Sequence, residues 1–313
     1  MSNRRTFIKQ TFLGSVSLLG AAALNPISAA ILKKNHTKIT ILHTNDVHSH
    51  IDPFPANDPK YPNLGGVARR AGLIDKIRTE EKNVLLFDAG DIFQGTPYFN
   101  KYGGELEFKL MSLMKYDAAT IGNHDFDNGI DGFHKMLPHA NFPFVNVNYD
   151  FSNTILKDKI LPYKVIEKDD VKIGVFGIGV ELEGLVDKKS YKETIYLNPI
   201  NKANETANHL KNNEKCHLII CLSHLGYAYK TNKVSDLVLA KENEYIDLII
   251  GGHTHTFLDK PTTVRNKKNK ITLINQVGWA GINLGRIDFF IDVKNEAYFF
   301  SSESIKIKRE KKS

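Results

Sequence analysis

The chain has 313 residues, 42% of them hydrophobic and 25% charged, with 42 Lys and Arg against 35 Asp and Glu. That composition can bury a sizeable core, which excludes a disordered chain, and two cysteines exclude a disulfide scaffold. The net charge of +7 would suit an anionic polymer or a membrane surface only if the folded body carried it.

The ends carry it instead. Residues 1–30 hold Arg4, Arg5 and Lys9, no acidic residue, an apolar run from Phe12 to Leu24 and a small-residue exit at Ser28-Ala29-Ala30. This is the pattern of a removable export signal, and Asn3-Arg4-Arg5-Thr6-Phe7-Ile8-Lys9 resembles the twin-arginine type, which predicts a periplasmic mature protein. The apolar run is shorter than the ~20 residues needed to span a bilayer, and no other stretch is long enough, so no span is expected after cleavage. The other basic cluster is a short tail, residues 305–313. Between the two the charges nearly cancel, so a nucleic-acid polymer is excluded as partner.

From Lys38 onward, short apolar strands end in metal-competent residues. Lys38 to Leu42 leads into His43-Thr44-Asn45-Asp46-Val47-His48, and the prolines at 53, 55, 59 and 62 make the next stretch a loop at the mouth of a site. A helix is predicted over Val67 to Glu81. Val84 to Phe87 then leads into Asp88-Ala89-Gly90-Asp91, a second helix covers Leu106 to Lys115, and Ala118 to Ile121 leads into Gly122-Asn123-His124-Asp125. Further helices are expected over Ile130 to Leu137, Ile200 to Asn212 and Ser235 to Glu242. Leu218 to Leu222 precedes Ser223-His224, and Leu248 to Ile250 precedes Gly251-Gly252-His253-Thr254-His255. Arg286 to Val293 and Ala297 to Ser302 read as a closing hairpin. Alternating strands and helices predict an α/β fold with buried, largely parallel strands, a single domain within residues 31–313. In such sheets the site lies beyond the carboxyl ends of the strands, where the five polar tips would converge. Cys216 and Cys221 share one strand, roughly 16 Å apart at ~3.3 Å per residue, too far for a disulfide and therefore free thiols.

Imidazoles and carboxylates at converging strand ends suit a pair of divalent cations in a hydrolase. Asp91, beside Gly90, suits the carboxylate that bridges them. On extended tips Asp46 and His48 would point the same way, as would His253 and His255.

Taken together, Asp46-x-His48, Gly90-Asp91, Gly122-Asn123-His124-Asp125, His224 and Gly252-His253-x-His255 resemble the five-block signature of the calcineurin-like metallophosphoesterases. The wider stretches Leu42 to His48, Asp88 to Pro97 and Gly122 to Asp127 are similar to the catalytic domain of the bacterial 5'-nucleotidase and UDP-sugar hydrolase group. The resemblance implies a four-layer α/β/β/α sandwich with mixed sheets. It implies one ion held by Asp46, His48, Asp91 and His255, and another by Asp91, Asn123, His224 and His253. Zn²⁺, Mn²⁺ or Fe²⁺ would all suit these ligands, and a hydroxide activated by the metals would attack phosphorus. His124 matches the family's catalytic histidine, with Asp127 orienting its ring. The competing reading of Asp127 is a helix cap.

His43 and His50 flank the first motif as candidates to orient ligands, and Asn45 and Asn148 as supports of the centre. His36, His134, His139 and His209 read as surface groups and His217 as part of a strand. The substrate implied is a 5'-nucleotide or related phosphate ester, with thiosulfate-ester hydrolysis as the alternative. The group's second, substrate-gripping domain has no counterpart in this sequence. A separate substrate-binding chain completing a split enzyme is therefore an expected partner.

Overall fold

Period-two alternation with apolar residues on both sides marks strands buried on two faces, and the computed structural model, which describes residues 36–309, has such strands at its centre. The predicted export signal lies outside the described residues. In β1 (Thr37–Thr44) Ile39 and Ile41 face one core and Leu42 another, and in β2 (Val84–Asp88) Leu85 and Phe87 face the first while Val84 and Leu86 face the second. Each such side chain contributes about 1.5–3 kcal/mol by its burial. A slip of one residue would exchange the two sets, so the register is strongly specified.

These strands join β3 (Ala118–Ala119), β12 (Asn283–Asp292) and β13 (Ala297–Lys306) in a five-stranded sheet ordered β13-β12-β1-β2-β3. β1, β2 and β3 run parallel, and β12 and β13 add antiparallel. A six-stranded sheet is built from β5 (Tyr163–Lys168), β6 (Val171–Gly179), β8 (Leu218–His224), β9 (Leu248–Gly251), β10 (Thr262–Arg265) and β11 (Ile271–Asn275). Its order is β10-β11-β9-β8-β6-β5, with a parallel centre and an antiparallel strand at each edge. A two-stranded ribbon pairs β4 (Tyr149–Asp150) with β7 (Ile195–Tyr196).

The two large sheets share a core of Ile39, Ile41, Phe87, Val175, Leu218, Ile220, Leu222, Ile250 and Phe289, among others. Outside the first sheet lie α1 (Val67–Glu80), α3 (Glu105–Leu113) and α4 (Gly129–Met136), whose Ile74, Phe108 and Phe133 pack on Leu42 and Leu86. The short α2 (Pro97–Tyr102) precedes α3, and α5 (Lys188–Tyr191) leads to β7. Outside the second sheet, α6 (Pro199–Asn212) presents Ala203, Ala207 and Leu210, spaced i, i+4, i+7, and α7 (Asp236–Glu242) presents Leu239 and Ala240. Asn198 caps α6 by accepting from the Asn201 amide, 3.0 Å away, with Pro199 at the first helical position. The layers run helix, sheet, sheet, helix, as expected.

Three details depart from the sequence reading. The strand expected from Ala118 to Ile121 is only two residues long, because the chain already turns towards Gly122. β13 runs to Lys306 and Ile307 is 2% exposed, so the expected tail begins later than residue 305. The strands β5, β6, β10 and β11 were not foreseen.

Candidate metal centre

Each predicted ligand lies at or just past the carboxyl end of a parallel strand. Asp46 and His48 follow β1, Asp91 follows β2, Asn123 follows β3, His224 ends β8, and His253 and His255 follow β9. The loops after β1 and β2 zip together through Asp46 N to Gly90 O (2.9 Å), His48 N to Asp91 O (3.1 Å) and Ser49 N to Ile92 O (2.9 Å). The tips are not extended. Asp46, His48, Asp91, His253 and His255 all have φ between 48° and 72°, a left-handed conformation that costs non-glycine residues energy and gathers at functional sites. Gly122 permits the closest approach: a Cβ there would stand 2.2 Å from Asp91 Oδ1.

The ligand atoms form two groups, Asp46 with His48 and His255, and Asp91 with His224 and His253. In the first, Nε2 of His48 and Nε2 of His255 lie 3.1 Å apart, and Asp46 Oδ1 is 4.0 and 3.4 Å from them. In the second, His224 Nε2 is 3.0 Å from Asp91 Oδ2, and His253 Nδ1 is 2.8 Å from Asn123 Oδ1. Asp91 Oδ2 is also 3.8 Å from His48 Nε2, so this carboxylate touches both groups. His253 and His255 therefore do not share one cluster, contrary to the simple alternation argument.

Carbonyl oxygens fix the rings from behind. Ala89 O is 2.7 Å from His224 Nδ1, and Phe93 O is 3.2 Å from His48 Nδ1. This leaves each Nε2 aimed into the centre. Asn45 donates to Asp46 Oδ2 (2.6 Å) and accepts from Val277 N (3.0 Å), the supporting role expected of it. Burial opposes charge on His224, but the carboxylates of Asp91 and Asp46 outweigh it and push His224 up to about 10. Burial likewise opposes ionisation of Asp91, and His224 and His48 hold it well below the usual range. Burial, then the charge of His224, lowers His253 to about 4, and burial lowers His48. Neutral imidazoles are the form that can donate to a cation.

The residues fit divalent ions on one observation above the rest. His224 Nε2 is fully buried 3.0 Å from Asp91 Oδ2, with no well-aligned hydrogen bond to it. Two such atoms can face one another only across a proton or a cation, and with the ring neutral a divalent ion fills that place.

His124 and Asp127 occupy a 3₁₀ turn and the residue after it, next to this cluster. His124 N donates to Asp91 Oδ1 (2.8 Å), and the His124 ring meets that of His48 edge-on at 5.3 Å. Nδ1 of His124 is 2.8 Å from Asp127 Oδ2, and that hydrogen bond raises the imidazole pKa while burial opposes it. Asp127 makes no helix-capping bond, and the residue at the cap of α4 is Asn128.

A model of the calcineurin-like phosphoesterase family matches residues 39–257. The chain belongs to the calcineurin-like phosphoesterases. This phosphoesterase is 34% identical over 288 residues to the trifunctional nucleotide phosphoesterase protein YfkN of Bacillus subtilis, covering 82% of this chain and 18% of that protein. It is 36% identical over 230 residues to the snake venom 5'-nucleotidase of Crotalus adamanteus, covering 71% and 37% respectively. Among solved structures, the 5'-nucleotidase precursor of Thermus thermophilus superposes with a TM-score of 0.79 at 31% identity, covering 87% of this chain and 55% of that one. The phosphoesterase thus spans well under two thirds of these relatives.

Sequence reasoning missed Asp125, although it quoted the motif containing it. Asp125 is fully buried and accepts from the amides of Asp91, Ile92, Phe93 and Gly122, pinning the loop of the bridging carboxylate. Two expected supports lie elsewhere. Asn148 binds the backbone of Gly179 through both side-chain atoms, closing the end of β6. His43 is buried with its Nε2 2.9 Å from Asn275, and burial lowers it to about 3, so it is a neutral core residue. His50 joins an aromatic cluster, edge-on to Trp279 at 5.2 Å.

Proposed function

We propose that this chain is an exported two-metal phosphoesterase acting on 5'-nucleotides or related phosphate esters. The observation that carries the reading is the pair of ligand groups joined through Asp91, with the His124–Asp127 pair beside them. Asp46, His48, Asp91 and His255 would hold one ion, and Asp91, Asn123, His224 and His253 the other. Bound there, divalent cations supply Lewis acidity towards phosphoryl oxygens and lower the pKa of water.

The chain's own residues account for the remainder. Asp91 and Asp46 supply two negative charges, half of what two dications carry, and leave the site net positive towards a phosphate. His124, with 39% of its side chain exposed, turns towards the mouth with Nδ1 occupied by Asp127. Its other nitrogen is the one able to stabilise charge on the phosphoryl oxygens or hand a proton to the leaving alcohol, for which an imidazole with a raised pKa is suited. The activities for which the relatives are named, nucleotide phosphoesterase and 5'-nucleotidase, agree with a nucleotide substrate.

The test is phosphate release from AMP, cyclic nucleotides, UDP-sugars and simple phosphomonoesters, with a thiosulfate ester alongside, at measured occupancy by Mn²⁺ or Zn²⁺. Release from AMP is expected. Inactivity on every phosphate ester with two ions bound would defeat the proposal.

A further inference from the structure

The loop over residues 51–64 does not stand free in solvent. Its Phe54 and Tyr61 close against Trp279, with ring centroids 6.0 and 6.2 Å away. Trp279 stacks parallel on the ligand His255, at 5.7 Å and 6°. Tyr61 in turn stacks on Phe257 at 6.1 Å and 29°. A continuous aromatic strip therefore leads outward from the metal centre, in steps of one ring, to Phe257.

Phe257 is 40% exposed, and its position is fixed. It forms an antiparallel bridge with Val277, flanked by bonds from Gly278 N to Thr256 O (2.9 Å) and from Leu258 N to Gln276 O (3.0 Å). The ring lies directly over Gly278, where a Cβ would come within 2.1 Å of it. The ring packs on Tyr61 and Gly278 yet leaves part of its surface open to solvent. Held rigidly two residues from a metal ligand, it forms a surface already organised for a flat partner.

From the strip, and resting on the phosphoesterase reading above, we propose that Phe257, joined through Tyr61 to Trp279, forms the platform on which the leaving group of the substrate stacks. The structure thereby assigns the substrate class: phosphate esters whose leaving group carries a planar aromatic ring, a nucleoside or an aryl alcohol, in preference to aliphatic esters. A phosphate held by cations bound beside His255 would present its ester oxygen towards the mouth, and in a nucleotide the sugar would span the gap between that oxygen and the base. Stacking accepts any base, because each presents a π-face. The platform belongs to this chain and needs no second domain.

The experiment compares kcat/KM for AMP, 4-nitrophenyl phosphate and ribose 5-phosphate in the metal-loaded wild type, Phe257→Ser and Phe257→Tyr. The two aromatic arms separate a nucleoside from any aryl ring. In the wild type AMP should be preferred over ribose 5-phosphate. Phe257→Ser should lower that preference roughly tenfold, the size of a lost base–aromatic stack, and Phe257→Tyr should restore it. Loss of rate on all three esters by one common factor, or no wild-type preference, would overturn the platform. Adenosine binding, read from quenching of Trp279 fluorescence, decides the matter apart from turnover. Quenching weakened by Phe257→Ser supports the platform, and absence of quenching in the wild type overturns it. Failure of all three esters to react, with quenching intact, would count against the phosphoesterase reading alone.

Discussion

Replacing Asp125 by Asn tests how the bridging carboxylate is held. Oδ2 of Asp125 accepts from the amides of Asp91 (3.1 Å) and Gly122 (2.8 Å), and Oδ1 from those of Ile92 (2.9 Å) and Phe93 (3.1 Å). A carboxylate matches four donors, whereas the asparagine amide turns an NH₂ on two of them whichever way it is rotated. Two buried N–H groups then lack an acceptor, at about 1–3 kcal/mol each, or about 2–6 kcal/mol together. One effect works the other way: burial, then repulsion by Asp91, raises Asp125 to about 7, and the substitution relieves that repulsion. The lower half of the range is therefore expected in metal-free protein. With a urea slope of about 3 kcal/mol per molar for a domain of this size, the midpoint should fall by about 1 M. Trp279, the only tryptophan of the chain, stacks on a metal ligand and provides the fluorescence signal. Metal affinity should fall as well, since the same four bonds hold Asp91 in its left-handed conformation. An unchanged midpoint together with unchanged metal affinity would refute the reasoning.

Other substitutions probe different parts. Asp127→Asn should leave the urea midpoint and the metal stoichiometry as they are, because Asp127 is partly exposed and caps no helix, yet lower kcat by about 10²-fold, the usual scale for an acid–base pair; a wild-type kcat would contradict the role given to the pair. Asp247 lies at the end of β9 remote from the metals, where burial raises it to about 6 despite a hydrogen bond from Ile219 N. Its folded pKa exceeds its unfolded value, so the folded protein binds the proton more tightly and stability falls as pH rises from about 4 to 6. Asp247→Asn should flatten that part of the pH–stability curve by about 1–2 kcal/mol, discounted because the side chain is not wholly enclosed; an unaltered slope would show that Asp247 is not its source. Cys216 and Cys221 are free and buried, and burial pushes Cys216 up to about 11. Both should react with a thiol reagent only after unfolding, and rapid labelling of the native protein would contradict their place in the core.

The candidate ligands were legible because imidazoles and carboxylates gather where apolar strands end, a conjunction that packing alone seldom produces. The helices were legible from their apolar spacing, and α1, α4 and α6 lie within a residue of their expected limits at each end. β6 was missed because it ends in Gly179 and not in a ligand; a Cβ there would meet the Tyr149 ring at 2.3 Å, a constraint set by a residue 30 positions earlier. Asp125 was missed for a reason of local geometry. In a 3₁₀ turn residues three apart share a side, so His124 and Asp127 face outward together and Asp125 is driven inward. Sequence shows three titratable groups in four residues but not which of them the turn buries. The loop after Ile51 was placed at the mouth by its prolines, while its closure depends on Trp279, more than 200 positions away.

The candidate ligand set is divided between the sheets: Asp46, His48, Asp91 and Asn123 follow strands of one, and His224, His253 and His255 come from the other. Under the proposed assignment each ion would draw ligands from both sheets. Ions bound there would act as rivets across the sandwich, making free metal concentration a determinant of folding as well as of chemistry. At a free concentration one hundred times the dissociation constant, each ion would add about 2.7 kcal/mol to the stability of the native state. A cell that withholds metal from this chain would leave it less active and also more open to proteolysis along the seam between its two halves.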